Sequence, residues 1–351
     1  MDARLFMRAA ATLAAALAAA LLCVWLKTPL PWMLGPLIAT SALSLMGAPT
    51  QSWTPARNAA QWAIGAALGL YFTPQVTALV LQLWWAILLA IVWALLLGWG
   101  FGHWLQRVVR DRMPGSASER RATSYFAGAI GGASEMTLLA ERAGARTDLV
   151  AAAHSLRLLL VTVILPVAFT WTGLHGTDPS LPGARDVRLP GLAVLLLATA
   201  AGAWLLSRTR RANPWFLGAL AVAMGLTMAG LELSAMPQAL TNAAQLIIGV
   251  SLGVRFRAEF LHTAPRWLAA VAVGTLGMIA LCVGFAALLA WATGLSAATL
   301  VLGTSPGGIA EMAITAKVLQ LGVPVVTAFQ VCRLVAVLML VEPLHRWGWL
   351  R

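Results

Sequence analysis

Charge is what this sequence is short of. Its 351 residues carry 24 Lys and Arg and 12 Asp and Glu, 10% charged in all, where a soluble domain carries about 25%. A soluble fold of this length would need polar surface that is missing here. Cysteine is almost as scarce. Cys23, Cys282 and Cys332 each fall inside an apolar stretch, which excludes a disulfide framework and a cysteine zinc site. The histidines at 103, 154, 175, 262 and 345 are scattered, with no i, i+4 or His/Cys ligand set. No phosphate loop or nucleophilic triad has a defensible context, and Gly128–Gly132 follows no strand as a nucleotide loop would. The chain is therefore expected to be no enzyme and to hold no cofactor or metal.

What remains is apolar. Hydrophobic residues make up 60% of the chain, and they fall in runs long enough to cross a hydrocarbon core, which takes about 20 helical residues. In lipid every backbone polar group must be satisfied internally, so such runs must be helices. The expected fold class is all-α and polytopic. The formal charge of +12 sits mostly between the runs, where it sets topology and faces anionic lipid. Membrane lipid is the partner this implies, and nucleic acid is not. Arg4 and Arg8 ahead of an Ala/Leu run ending near Cys23 look like a signal peptide, but this segment has a counterpart later in the chain and reads as a retained first helix.

The chain repeats itself. Pro31-Trp32-Met33-Leu34-Gly35 returns as Pro214-Trp215-Phe216-Leu217-Gly218. Asn58-Ala59-Ala60-Gln61-x-x-Ile64-Gly65-x-x-Leu68-Gly69 returns as Asn242-Ala243-Ala244-Gln245-x-x-Ile248-Gly249-x-x-Leu252-Gly253. Gly131-Gly132-x-x-Glu135-Met136 returns as Gly307-Gly308-x-x-Glu311-Met312, and Arg157 matches Arg333 at the same offset. Three blocks in one order define two membrane repeats, 1–176 and 177–351. Each half has six apolar segments, near 9–26, 31–47, 57–72, 78–105, 123–143 and 147–171, then near 189–207, 213–231, 240–254, 267–293, 297–320 and 323–345.

Charge counting decides how they cross. With twelve crossings and an inside N-terminus, the loops hold 12 basic residues inside and 9 outside. If each Gly-Gly segment is a re-entrant hairpin, 18 fall inside, among them Arg107, Arg110, Arg112, Arg120, Arg121, Arg208, Arg210 and Arg211. Only Lys27, Arg185 and Arg188 then fall outside. The positive-inside rule favours the second arrangement. Five crossings per half invert the second repeat, with both termini cytoplasmic in a bacterial inner membrane. Inverted repeats with interrupted segments in matching places are the pattern of secondary transporters. A crossing helix broken at the same glycines is the alternative.

Glu135 and Glu311 are the first candidates for a substrate- or ion-binding site, because a carboxylate at membrane depth is expensive unless it has a task. Gly131, Gly132, Gly307 and Gly308 let backbone approach a ligand, and both glutamates are expected in unwound chain. The alternative is structural, each Glu capping the following half-helix while Ser134 or Ser305 shapes the turn. Arg157 and Arg333 would neutralise the Glu of their own half or hold an anion. Asn58, Gln61, Asn242 and Gln245 would line a polar path or bond between helices. Gly-x-x-x-Gly pairs allow close helix contact and a possible homodimer.

Pro31-Trp32-Met33-Leu34-Gly35-Pro36-Leu37, the paired Gly-Gly-x-x-Glu-Met motifs and Thr304-Ser305-Pro306-Gly307-Gly308-Ile309-Ala310-Glu311-Met312 resemble the bacterial AbrB-type integral membrane family over nearly the whole chain. Members carry the labels ammonia monooxygenase or membrane regulator of gene expression. A small DNA-binding transition-state regulator shares the name, and this sequence does not resemble it. The resemblance and the repeats together favour a permease with a midplane site for a small molecule or ion. A membrane sensor that regulates gene expression is the alternative, and a membrane oxygenase is the least favoured.

Overall fold

A computed structural model describes residues 3–109, 116–174, 176, 186–209, 213–256 and 265–348, without the side chains of residues 3–6, 109 and 134. Arg110, Arg112, Arg185, Arg210 and Arg211, which enter the charge count, lie outside the described residues, as do His175 and His262. The described residues form helices and no strand. In chain order these are α1 (Ala3–Trp25), α2 (Pro31–Leu45), α3 (Thr54–Gly69), α4 (Pro74–Gln82), α5 (Trp84–Val109), α6 (Ala117–Gly128), α7 (Ala133–Arg142) and α8 (Thr147–Trp171). Then come α9 (Leu189–Ser207), α10 (Pro214–Met228), α11 (Gln238–Gly253), α12 (Pro265–Thr293), α13 (Ala297–Thr304), α14 (Ile309–Val318) and α15 (Val323–Gly348).

Six of these, in α1, α5, α8, α9, α12 and α15, are long and apolar enough to cross a bilayer. The protein is a multi-pass membrane protein. One sequence segment divides where it was expected to continue. The run over 78–105 splits at Leu83, and α4 also meets α3 at a 91° bend. Pro74 opens α4 at a position where its missing N–H is harmless. A single glutamine, Gln82, beside Leu83 among apolar residues is too slight a signal to mark the split.

The chain forms two compact units, and each takes elements from both sequence halves. The first comprises Met1–Gln82, Pro166–Ala258 and Ala313–Pro324; the second comprises Leu83–Leu165, Glu259–Met312 and Val325–Arg351.

In the first unit the contacts are reciprocal. α3 packs on α10, and its counterpart α11 packs on α2, the counterpart of α10. The Gly-x-x-x-Gly pairs make both crossings possible. A Cβ at Gly69 would lie 2.8 Å from the Met224 nitrogen and 2.9 Å from the Leu220 oxygen. A Cβ at Gly253 would lie 3.0 Å from both the Leu37 oxygen and the Ser41 nitrogen, the matching atoms of the other half. Backbone on backbone is the contact that small residues permit between membrane helices. The entries to α2 and α10 match as well. Leu30 and Asn213 precede Pro31 and Pro214 with left-handed backbone, at φ 45° and 44°. A following proline disfavours right-handed helical geometry there.

In the second unit, α5 packs on α6 and α12, and α12 on α13. A Cβ at Gly128 would lie 2.6 Å from the Gly102 nitrogen and the Gly98 oxygen, so α6 rides directly on the α5 backbone. Trp93 and Phe285 stack with ring centres 4.8 Å apart, joining α5 to α12. The Tyr125 hydroxyl donates to the Val341 carbonyl at 2.8 Å, and Trp267 Nε1 donates to the Leu149 carbonyl at 3.1 Å. Phe126, Met136, Val150, Val271 and Cys282 meet in the core around these bonds.

Candidate functional site

The fifth segment of each half is two short helices parted at its glycines. α6 ends at Gly128 and α7 begins at Ala133; α13 ends at Thr304 and α14 begins at Ile309. A break leaves orphan carbonyls on the first half-helix and orphan N–H groups on the second. In a membrane neither set can go unmatched without a cost of several kcal/mol.

The arginines answer the first set. Arg157 is 3% exposed. Its Nη1 donates to the Ala127 and Gly128 carbonyls at 3.2 and 3.3 Å, and its Nη2 to Ala129 at 2.9 Å. His154 Nε2 reaches the Phe126 carbonyl at 2.8 Å, so four successive carbonyls at the end of α6 have donors. The second half repeats the scheme. Arg333 donates to Ser305 and to Gly307, the latter at 2.9 Å, while Gln330 Nε2 donates to Leu302 at 2.6 Å. Both arginines were expected to neutralise Glu135 and Glu311 or to hold an anion. Their bonds run instead to backbone carbonyls and to His154 and Gln330. A cation beside the negative end of a helix dipole is the electrostatically favoured place for it. Both breaks lie within the second unit.

The glutamates stand beside the second set. Gly132 is the N-cap of α7, which puts Glu135 three residues into the helix. Glu311 likewise lies in the first turn of α14 and is 7% exposed. The expectation of unwound chain at both glutamates is therefore corrected: the turn closes at once after the glycines. Each carboxylate folds back over the second glycine of its own pair, where a Cβ would collide with it. Met136 and Met312 fold over the first, and a Cβ at Gly131 or Gly307 would lie 2.7 to 2.9 Å from their sulfur and terminal carbons. The motif is thus a packed helix start, in which two missing side chains make room for Glu and Met one turn on. Carboxylates at this position suit the positive end of a helix.

Ser305 is fully buried, its carbonyl taken by Arg333 and its hydroxyl 3.3 Å from the Met312 sulfur. Ser134 lies in α7, and its side chain is outside the described residues. Asn58, Gln61, Asn242 and Gln245 belong to the first unit. There Gln61 Nε2 reaches the Asn213 side chain at 3.4 Å, the Asn242 oxygen accepts from Gln238 at 2.8 Å, and Gln245 is buried. His154 and Gln330 were not singled out from sequence. Both stand three residues before the paired arginines, and extending the repeat alignment would have matched them. Among the described residues no group of three His, Cys, Asp or Glu side chains is placed to hold a metal ion.

Comparison with known proteins gives a consistent picture. The family described as Transition state regulatory protein AbrB matches residues 32–348. The protein YhjN of Bacillus subtilis (strain 168) is 29% identical over 340 residues, covering 90% of this chain and 86% of its own. A protein named as the regulator AbrB in Escherichia coli (strain K12) is 28% identical over 315 residues, covering 89% of this chain and 88% of its own. No solved structure matches.

Proposed function

The chain belongs to the AbrB family, and within it we propose that this protein is a secondary-transporter-like permease whose midplane site is built from the two Gly-Gly-x-x-Glu-Met segments. One observation carries the proposal: the segments interrupted at matching positions of both halves lie in one compact unit of a membrane protein. Discontinuous helices are where secondary transporters bind substrate and coupling ion. The repeats 1–176 and 177–351 are inverted in this proposal, each with five crossings and one re-entrant or broken segment. Both termini face the cytoplasm across a bacterial inner membrane. The charge count and the reciprocal contacts of α2, α3, α10 and α11 support that arrangement.

The arginine bonds bear on the substrate. Both guanidiniums bond backbone carbonyls, which in this reading makes them anchors of the breaks and gives the exchange of a cation or proton to the glutamates. A second reading has a specific support, since the Escherichia coli relative is named as a regulator. In that reading the same site senses a ligand without moving it.

The test is thermal stability of the detergent-purified protein with Na⁺, amines and small carboxylates at two pH values, paired with flux into proteoliposomes. A ligand at 100 times its Kd should stabilise by about 2.7 kcal/mol. Permease function requires a shift that Glu135→Gln and Glu311→Gln abolish, together with flux. A shift without flux supports the sensor. No shift with any ligand, and variants merely less stable, makes the glutamates structural and removes the site.

A further inference from the structure

Three helix-interior glycines of the second unit, Gly100, Gly277 and Gly284, have nothing of the described chain beside them, and two of these line one groove. Gly100 in α5 and Gly277 in α12 sit mid-helix, and a Cβ at either would meet nothing within 4 Å. Their neighbours Gly98 and Gly102, by contrast, face α6 in tight contact. Glycine in a helix interior is about 1 kcal/mol worse than alanine, and Gly100 and Gly277 differ from the open glycines elsewhere in facing one concave surface from its two walls. Both line an apolar groove of about 520 Å³ between α5 and α12, floored by the buried Leu97, Phe101 and Met278 and rimmed by the exposed Leu96, Val273 and Leu281.

The groove has a length and a charged end. α5 and α12 run antiparallel, since Trp93 stacks on Phe285 while Phe101 and Trp104 meet Gly274. From Trp93 to Trp104 the lining covers about 16 Å at 1.5 Å per residue. That is half of a roughly 30 Å hydrocarbon core, one leaflet deep. A transmembrane helix of a second copy would call for a seam of full length. Beyond the Phe101–Gly274 contact both helices end at one side in an exposed basic residue, Arg107 on α5 and Arg266 on α12.

We propose that the groove between α5 and α12 is a binding site for one anionic phospholipid, its acyl chain laid over Gly100 and Gly277 and its phosphate held by Arg107 and Arg266. The site is independent of the Gly-Gly breaks and of what the protein transports or senses. Basic clusters at the ends of membrane helices are the recognised partners of anionic headgroups.

Native mass spectrometry of the full-length protein with phosphatidylglycerol or phosphatidylcholine of identical chains tests this. Gly100→Leu and Gly277→Leu place side chains in open space, so the fold should survive, as a thermal melt of each will verify. Wild type is expected to retain phosphatidylglycerol preferentially. Both leucine variants should retain it about tenfold less, the effect of displacing roughly two methylenes from a buried chain. Arg107→Gln with Arg266→Gln should erase the headgroup preference while leaving chain binding. Undiminished lipid retention in the leucine variants overturns the proposal. So does a lipid-free dimer that Gly277→Leu dissociates, because a second copy would then fill the groove.

Discussion

Nη2 of Arg157 lies 2.8 Å from Nδ1 of His154, and the other ring nitrogen of that histidine lies 2.8 Å from the Phe126 carbonyl. Since the guanidinium can only donate, Nδ1 accepts and Nε2 carries the proton. In the second half Gln330 performs the same two tasks, its oxygen accepting from Arg333 at 2.6 Å and its nitrogen donating to Leu302 at 2.6 Å. His154→Gln is therefore expected to copy the second half into the first and to change stability by less than about 1 kcal/mol. His154→Leu leaves the Phe126 carbonyl without its donor and should lose about 1–3 kcal/mol. Thermal unfolding in detergent distinguishes them, and equal losses would show that shape rather than bonding matters at this position.

Arginine at 157 spans three carbonyls with two nitrogens. A lysine ammonium is a point charge without that fork. Arg157→Lys should therefore be destabilised nearly as much as Arg157→Met, each by about 3 kcal/mol or more, because orphan carbonyls remain in the core. Full rescue by lysine in a melt would mean that charge alone holds the end of α6.

The glycine and glutamate of each motif should be coupled. Gly132→Ala drives its methyl into the Glu135 carboxylate, whereas the backbone at Gly132, φ −67°, suits alanine. The cost should be about 1 kcal/mol or more in wild type and should vanish in a Glu135→Ala background, leaving an interaction energy of about 0.5–3 kcal/mol in a double-mutant cycle. Additive effects would mean that the carboxylate does not rest on the glycine.

Glycines at helix crossings should behave unlike those facing outward. Gly69→Ala and Gly253→Ala push a methyl into the opposing backbone and should each lose about 1–3 kcal/mol. Gly225, in α10, has open space beside it, and Gly225→Ala should be neutral or stabilising by about 1 kcal/mol. Comparable losses at all three sites would contradict the crossings described for α3 and α11.

The duplication and the two interrupted segments were legible because glycine pairs, a buried-type Glu and the shared block order are local signals. The role of the arginines was not. Sequence offset relates Arg157 to Glu135 and Arg333 to Glu311 equally in both halves, and opposite charge suggests a pair. The orphan carbonyls they actually bond belong to every residue and leave no mark in a sequence. The glutamates were found for the right cost but placed in the wrong conformation, since the turn after Gly132 closes at once. The break at Leu83 falls in a run whose one nearby polar residue, Gln82, is no stronger a signal than many that helices carry, and it was invisible for that reason.

The crossed pairing of α2 with α11 and of α3 with α10 imposes an order on biosynthesis. When α2 leaves the ribosome, the helix it will grip is almost two hundred residues from being made, at Gln238–Gly253. Until then the first three helices must wait in the bilayer with their glycine faces bare, and a translation pause before α11 prolongs that wait. The first half released alone would carry the same bare faces, so two such halves expressed as separate chains should seek each other.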